Sequence, residues 1–265
     1  MEVSMAEGSI EVTKNPVQSA ERIFGVLEAL VEASPIGLMD LSTRLELHKS
    51  TVHRMLMSLI CMGYVKHDDS GKYALTFKIV QLSEKVISRS DIALTVHPLI
   101  AELANDCGET VHFVQRRGTE VFYLDKVRPL NPQESAIRMA SQVGLTRPMY
   151  CSAVGKAILA EMKDEEIEYI WNNSIIEKKT EHTITTRLEL MKEINEIRSN
   201  GYALDNEENE LGVRCIAVCV RDLQGLPNNA FSISAPAVRM TEDRVKQLAV
   251  DILRTKEAIQ KILGR

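Results

Sequence analysis

The chain has 265 residues, 45% hydrophobic and 26% charged, with a net charge of −5 at neutral pH; that suits a globular protein of two domains, each burying its own core. No apolar run approaches the roughly 20 residues needed to cross a bilayer, and the start M-E-V-S-M-A-E carries acids where a signal peptide carries bases, so neither a membrane partner nor export is expected. Cys61, Cys107, Cys151, Cys215 and Cys219 are scattered, odd in number and without a C-x-x-C, which points to reduced thiols and a cytoplasmic location.

Residues 1–14 are polar and aperiodic and read as a disordered tail. Asn15-Pro16 reads as a cap and a first helical residue. Val17, Ala20, Ile23, Phe24, Leu27, Leu30 and Val31 then recur at helical spacing to about Ala33. Ser34-Pro35-Ile36-Gly37 stops that helix. Two more short helices are predicted over 38–45 and 49–62, joined by a tight turn and closed by Gly63. Two short strands, 64–67 and 72–75, flank the turn Asp68-Asp69-Ser70-Gly71. Three helices and a hairpin make a winged helix-turn-helix over 15–76. A helix over 76–90, apolar at Phe77, Ile79, Val80, Leu82, Val86 and Ile87, is read as a linker occupying 77–91.

From residue 92 to 265 the pattern becomes mixed. A helix over 92–106 precedes strands at 110–115 and 121–127, with a turn at Arg117-Gly118. Strand-like stretches at 135–139 and 145–149 precede helices over 153–162, 164–171 and 188–200, the last ended by Gly201. The nearly all-apolar 213–220 predicts a strand covered on both faces, 230–235 a further strand, and Thr241 a cap for a helix to about 263. The fold class is α+β, the second domain being one sheet enclosed by helices.

The third helix carries the clearest chemistry. Lys49, Ser50, Thr51, His53 and Arg54 occupy its front end, and no acid occurs from Lys49 to Val65. Between Asp40 and Lys78 six Lys/Arg outweigh four Asp/Glu, although the whole chain is acidic. A helix so placed enters the major groove of double-stranded DNA. Arg54 is the candidate base reader, because arginine pairs bidentately with guanine; Lys49, Ser50, Thr51 and His53 contact bases or phosphates. Lys72, beside the wing turn, reaches backbone or minor groove. Val52, Met55, Leu56 and Leu59 form the opposite, core face. Paired units reading two half-sites imply a partly palindromic operator.

These motifs, in this order, resemble the IclR family of bacterial transcriptional regulators. The resemblance rests on K-S-T-V-H-R at 49–54, G-Y-V at 63–65, Y-A-L-T at 73–76, S-A-V-G-K-A at 152–157, G-Y-A-L-D-N-E-E at 201–208, G-V-R-C-I-A-V at 212–218 and S-I-S-A-P at 232–236. It implies a winged helix-turn-helix, a linker helix and a GAF-like effector domain, assembled as a homodimer or dimer of dimers, with no cofactor and no enzymatic activity. R-P-M-Y-C-S-A-V-G-K at 147–156 and T-E-H-T-I-T at 180–185 look most like the KdgR-like members, which respond to 2-keto-3-deoxygluconate. The expected function is thus a regulator, read as a repressor, controlled by a small 2-oxo acid or sugar acid.

Carried over residue by residue, the resemblance places Ala153, Val154, Asp205, Cys215, Ser232 and Ser234 against the effector. The residues themselves support this in part. Met149 to Lys156 turns from strand into helix, whose free N–H groups suit a carboxylate. Ser232 and Ser234, two apart, share one face of a strand. The plainer alternative makes Cys215 and Cys219 core thiols and 205–210 a solvated acidic loop; it is preferred for Cys219 alone. Gly155-Lys156 is not a phosphate-binding loop, since Tyr150 and Ala157 stand where glycine and Ser/Thr are required. The acids at 205–210 lack calcium-loop spacing, and His97, His112 and His182 lack metal-ligand spacing. A Cys–His hydrolase pairing Cys215 with His112 or His182 has no mark of a base at either histidine; the rival reading is a small-molecule enzyme or sensor whose N-terminal unit makes only protein contacts.

Overall fold

The computed structural model describes residues 17–87, 91–130 and 141–263. The chain divides into two compact units between Val86 and Ile87. The tail at 1–14, the Asn15-Pro16 cap, residues 88–90 of the expected linker helix and the strand expected at 135–139 lie outside the described residues.

The first unit contains α1 (Gln18–Ala33), β1 (Ile36–Gly37), α2 (Leu38–Arg44), α3 (Lys49–Cys61), β2 (Val65–His67), β3 (Lys72–Leu75) and α4 (Lys78–Ile87). Its core joins Val26 and Leu30 of α1, Leu41 of α2, Val52, Leu56 and Leu59 of α3, and Val65 and Tyr73 of the strands. Of the stripe expected on α1, Ile23, Leu27 and Leu30 pack in the core with Val26 and Ala29, whereas Phe24 and Val31 are exposed. Apolar residues surround much of that helix, so periodicity alone did not select the stripe. The expected hairpin is a three-stranded antiparallel sheet, β1-β3-β2, with Ile36 opposite Tyr73 and Val65 opposite Leu75. β1 falls within the helix-stopping stretch 34–37, where two residues are too few to show alternation. Thr76 ties the wing to the end of α3, its hydroxyl donating to the Gly63 carbonyl at 2.6 Å. The Lys78 ammonium lies 4.6 Å from the centre of the Tyr64 ring.

The second unit runs α5 (Asp91–Cys107), β4 (Thr110–Arg117), β5 (Glu120–Val127), β6 (Thr146–Pro148), α6 (Ala153–Ala160), α7 (Asp164–Asn172), α8 (Arg187–Asn200), β7 (Ala203–Asn206), β8 (Val213–Val220), β9 (Asn229–Pro236) and α9 (Glu242–Ile262), with a 3-10 turn at Ala237–Arg239. Its six strands form one sheet in the order β6-β5-β4-β9-β8-β7, and every neighbouring pair is antiparallel. Strand alternation divides the side chains between two cores. Val111, Phe113, Ile216, Val218, Val220, Phe231, Ile233 and Ala235 pack with α5 and α9. Val114, Ala203, Ala217, Cys219 and Ala230 face the other way and pack with α6, α7 and α8. The first face is filled by large side chains; the second carries Ala, Ser and Cys across its centre and leaves room. Strand β7 has no counterpart among the predicted strands, because its inward positions are Ala203 and the polar Asp205 rather than two apolar residues.

Candidate DNA-reading face and effector pocket

Helices α2 and α3 are joined by a turn closed from within. The Ser42 hydroxyl donates to the Leu47 carbonyl at 2.6 Å, and the Leu47 N–H donates back to the Ser42 carbonyl at 3.2 Å. Glu46 takes a left-handed conformation there, φ 52°. The turn presents the front of α3 to solvent, while Val52, Leu56 and Leu59 on its back are sealed in the core. Lys49, Ser50, His53 and Arg54 line one open groove together with Leu38 and His48. Thr51 is half-buried and outside that groove. His48 was not singled out in the sequence; it precedes the helix, where periodicity does not extend. Among the residues lining the groove the only formal charges are the cations Lys49 and Arg54.

Lys72 is exposed at the start of β3. The wing turn beside it is organised by Asp68, whose Oδ1 accepts from the Ser70 N–H at 2.9 Å, the Ser70 hydroxyl at 2.7 Å and the Lys72 N–H at 2.9 Å. These donors, the Ser70 hydroxyl first, hold the Asp68 carboxyl below its ordinary pKa. Gly71, at φ 80°, supplies the left-handed position.

The second site lies on the small-residue face of the sheet. Register places Asp205 of β7 opposite Cys215 of β8, and Cys215 opposite Ser234 of β9. Ser232, two residues earlier, shares that face, with its hydroxyl 3.4 Å from that of Ser234. The start of α6 closes over them. Ser152 caps the helix, accepting from the Gly155 N–H at 3.3 Å and donating to the Pro148 carbonyl at 2.7 Å. The Ala153 and Val154 N–H groups have no acceptor among the described residues. Gly155 is required for packing: a Cβ there would sit 2.3 Å from Met149 Cα. At the far end Arg198 of α8 donates to the Ala160 carbonyl at 3.0 Å and the Met162 carbonyl at 2.8 Å, fixing the helix from both termini.

Ala153, Val154, Asp205, Cys215, Ser232 and Ser234 all line one cavity of about 30 Å³. An open cleft of about 500 Å³ adjoins it and shares Arg147, Asn209 and Glu210 with its wall. Asp205 and Glu208 are each 5% exposed, so the reading of 205–210 as a solvated acidic loop fails for both residues. Burial first, then the Glu208 charge, pushes the Asp205 carboxyl up from 3.8 to about 7; Lys156 and the N–H groups of Glu208 and Asn209 oppose the rise. Cys219 packs in the hydrophobic core on this face.

Arg147 and His112 line the cavity as well. Arg147 is the only Lys or Arg among the lining residues; it falls inside the R-P-M-Y stretch, but nothing in its spacing marks it. His112 had been weighed only as a metal ligand or base. Its Nδ1 lies 3.2 Å from the Ser234 hydroxyl and its Nε2 2.8 Å from the Ser141 hydroxyl. Burial, with Lys126 and Arg147 nearby, lowers its pKa from 6.5 to about 3, so the ring is neutral. Burial and Asp205 together raise the Cys215 thiol, which stays protonated. Both imidazole nitrogens engage serines, and the thiol is not activated as a hydrolase nucleophile would be. Among the described residues no group of three His, Cys, Asp or Glu side chains is placed to hold a metal. No helix among them is long and apolar enough to cross a membrane.

Comparison with known proteins agrees with this geometry. Residues 19–69 match the IclR helix-turn-helix domain, and residues 84–261 match the bacterial transcriptional regulator IclR C-terminal family. The HTH-type transcriptional regulator KdgR of Escherichia coli K12 is 34% identical, covering 92% of this chain and 91% of that protein. KdgR of Dickeya chrysanthemi is 35% identical over 90% of this chain and 77% of its own. The crystal structure of Thermotoga maritima IclR superposes with a TM-score of 0.83 at 29% identity, covering 93% of this chain and 99% of that one. The relatives are transcriptional regulators rather than enzymes, which removes the rival enzyme reading. This chain belongs to the IclR family of DNA-binding transcriptional regulators.

Proposed function

We propose that the protein is a cytoplasmic repressor that binds a partly palindromic operator and is controlled by a small 2-oxo acid or sugar acid such as 2-keto-3-deoxygluconate. The observation that carries the effector half is the convergence of six residues from four separated segments on one cavity. The unbonded N–H groups at the start of α6 and the Arg147 guanidinium suit a carboxylate, while Ser232, Ser234 and Asp205 suit hydroxyl and keto oxygens. The cavity and the adjoining cleft share Arg147, Asn209 and Glu210, so an acid held at the cavity can extend into the cleft. Effector control requires unequal affinity for two arrangements of the protein, and operator binding must then change effector affinity reciprocally.

On the DNA side, Arg54 reads a base, Lys49, Ser50, Thr51 and His53 contact bases or phosphates, and Lys72 reaches backbone or minor groove. Residues 15–76 form the DNA-binding domain, 77–91 the linker and 92–265 the effector domain. The working form is a homodimer or dimer of dimers, since one winged unit covers only one half-site. Fluorescence anisotropy on duplexes tiled across the protein's own promoter region tests this, with and without 2-keto-3-deoxygluconate. Sequence-specific retention that the acid weakens is expected. Equal affinity for every duplex at low and moderate salt would refute operator recognition. Retention indifferent to 2-oxo and sugar acids would refute the effector class.

A further inference from the structure

Lys156, in the first turn of α6, is fully buried; its ammonium lies 2.6 Å from Glu208 Oε1 and 3.0 Å from Glu193 Oε1. A cation is badly placed near the positive end of a helix dipole, and burying one is unfavourable unless it is paired. Packing would be served as well by methionine, so the charge calls for another reason. The two links join three elements. Helix α6 supplies Ala153 and Val154 to the cavity, α8 supplies Glu193, and the turn after β7 supplies Glu208.

That turn carries the acid facing the cavity. Asp205 Oδ1 accepts from the Glu208 N–H at 2.7 Å and from the Asn209 N–H at 3.4 Å. The backbone of the turn is held separately: Thr180 and Thr183 hydroxyls donate to the Glu207 and Glu208 carbonyls, each at 2.6 Å. The Glu208 side chain has fewer restraints. Its Oε2 is buried with no hydrogen-bond partner among the described residues, and Oε1 has Lys156 and a long 3.4 Å contact from the Asn206 N–H.

We propose that Lys156 is a positioning residue of the effector pocket: by gripping Glu208 it locks the turn at 205–209 and sets how Asp205 meets the ligand. The proposal rests on the effector reading above. It has an electrostatic signature, because Lys156 favours the Asp205 carboxylate and Glu208 opposes it. The other groups facing Asp205 are Tyr123 of β5, Cys215 of β8 and Cys151 ahead of α6. Arg147, Glu210 and neutral His112 share the cavity wall. All of these are unchanged in the variants that follow.

The test uses the full chain as native protein and as Lys156→Met, Lys156→Arg and Glu208→Gln. Carboxyl-carbon NMR on aspartate-labelled protein follows the Asp205 inflection, expected near neutral pH in the native chain. It should move to higher pH in Lys156→Met, to lower pH in Glu208→Gln, and back toward the native position in Lys156→Arg. Calorimetry with 2-keto-3-deoxygluconate at pH 7 should show Lys156→Met binding about tenfold or more weakly. Operator affinity measured without effector should be essentially unchanged, because the partners of Lys156 both lie in the second unit. An Asp205 inflection that stays at its native position in both charge variants overturns the proposal. So does undiminished binding by Lys156→Met. A native chain that ignores 2-keto-3-deoxygluconate while the inflections move as stated overturns the choice of effector and sustains the positioning role. Should Lys156→Met fail to fold, Glu208→Gln decides by calorimetry: removing the carboxylate that Lys156 grips should also weaken 2-keto-3-deoxygluconate binding, and undiminished binding overturns the proposal.

Discussion

Helix α3 displays its chemistry, whereas the inner face of the second unit's sheet encloses it. Along α3, residues pointing away from the core meet solvent, so Lys49, His53 and Arg54 stay hydrated until DNA arrives. In the proposed reading their work is electrostatic attraction and edge reading, and no protein partner is needed to hold the Lys49 and Arg54 charges. Around the cavity Asp205, His112, Ser232 and Ser234 are buried, and so is Lys156 of α6. Each depends on a neighbour: Asp205 on two N–H groups, His112 on two serines, Lys156 on two glutamates. An exposed face tolerates change at one position with a local loss. An enclosed one passes the change to its neighbours.

Gly155→Ala tests that difference most severely. The new methyl meets backbone at Met149, which cannot turn aside as a flexible side chain would. A loss of more than about 4 kcal/mol of stability is expected in the second unit, at the exceptional end for a single substitution. Chemical denaturation followed by Trp171 fluorescence, the chain's one tryptophan, would show it. A native-like midpoint would mean that α6 packs more loosely than described.

Next is the pH response of the enclosed face. With the Asp205 carboxyl raised from 3.8 to about 7, the folded chain keeps a proton that the unfolded chain has already released. Stability therefore falls as pH rises from about 4 to 7, and the deficit is complete above that window. For this group the span is at most roughly 4 kcal/mol. Asp205→Asn should flatten that part of the profile in melts between pH 5 and 8. A profile as steep as the native one would assign the slope elsewhere.

The exposed face is separated by substituting single residues. Arg54→Ala should cost roughly 1–3 kcal/mol at one operator position and relax preference there. Lys49→Ala should weaken all duplexes alike, by about 1 kcal/mol, and lower the salt slope by about one unit. Binding titrations against single-base operator variants at two salt concentrations distinguish the two; uniform loss in both would merge their roles. The smallest effect is Glu46→Gly. It relieves a left-handed residue in the α2–α3 turn and should stabilise the first unit by about 0.5–1 kcal/mol. A lower melting temperature would mean that the Glu46 side chain contributes more than its backbone strain.

Much of the first unit was legible in the order of its residues. The buried stripe Val52, Leu56 and Leu59 repeats at helical spacing, and the polar front of α3 lies opposite it. The wing turn was marked by Asp68 to Gly71. What escaped was short or ambiguous: β1 has two residues, and α1 has more apolar residues than its core needs. In the second unit β8 stood out as an apolar run and α8 by Gly201, which caps it at φ 80°. Strand β7 did not, because Asp205 occupies an inward position. The six residues proposed to meet the effector were named through motif resemblance, and they line one cavity. Arg147, His112 and Lys156 were missed because each has one ordinary neighbourhood in the sequence and another in space.

The amino-acid sequence alone determined the element types, the α+β class and the polar front of α3, because helix and strand periodicity and local turn chemistry act over a few residues. Only the tertiary structure decided which face of the sheet is hollow and which residues line the cavity. It alone brought Lys156 to Glu208 across 52 residues of chain. Those outcomes depend on strand register and on side chains brought together in a buried, poorly screened interior, where charge and space are settled by neighbours distant in the chain.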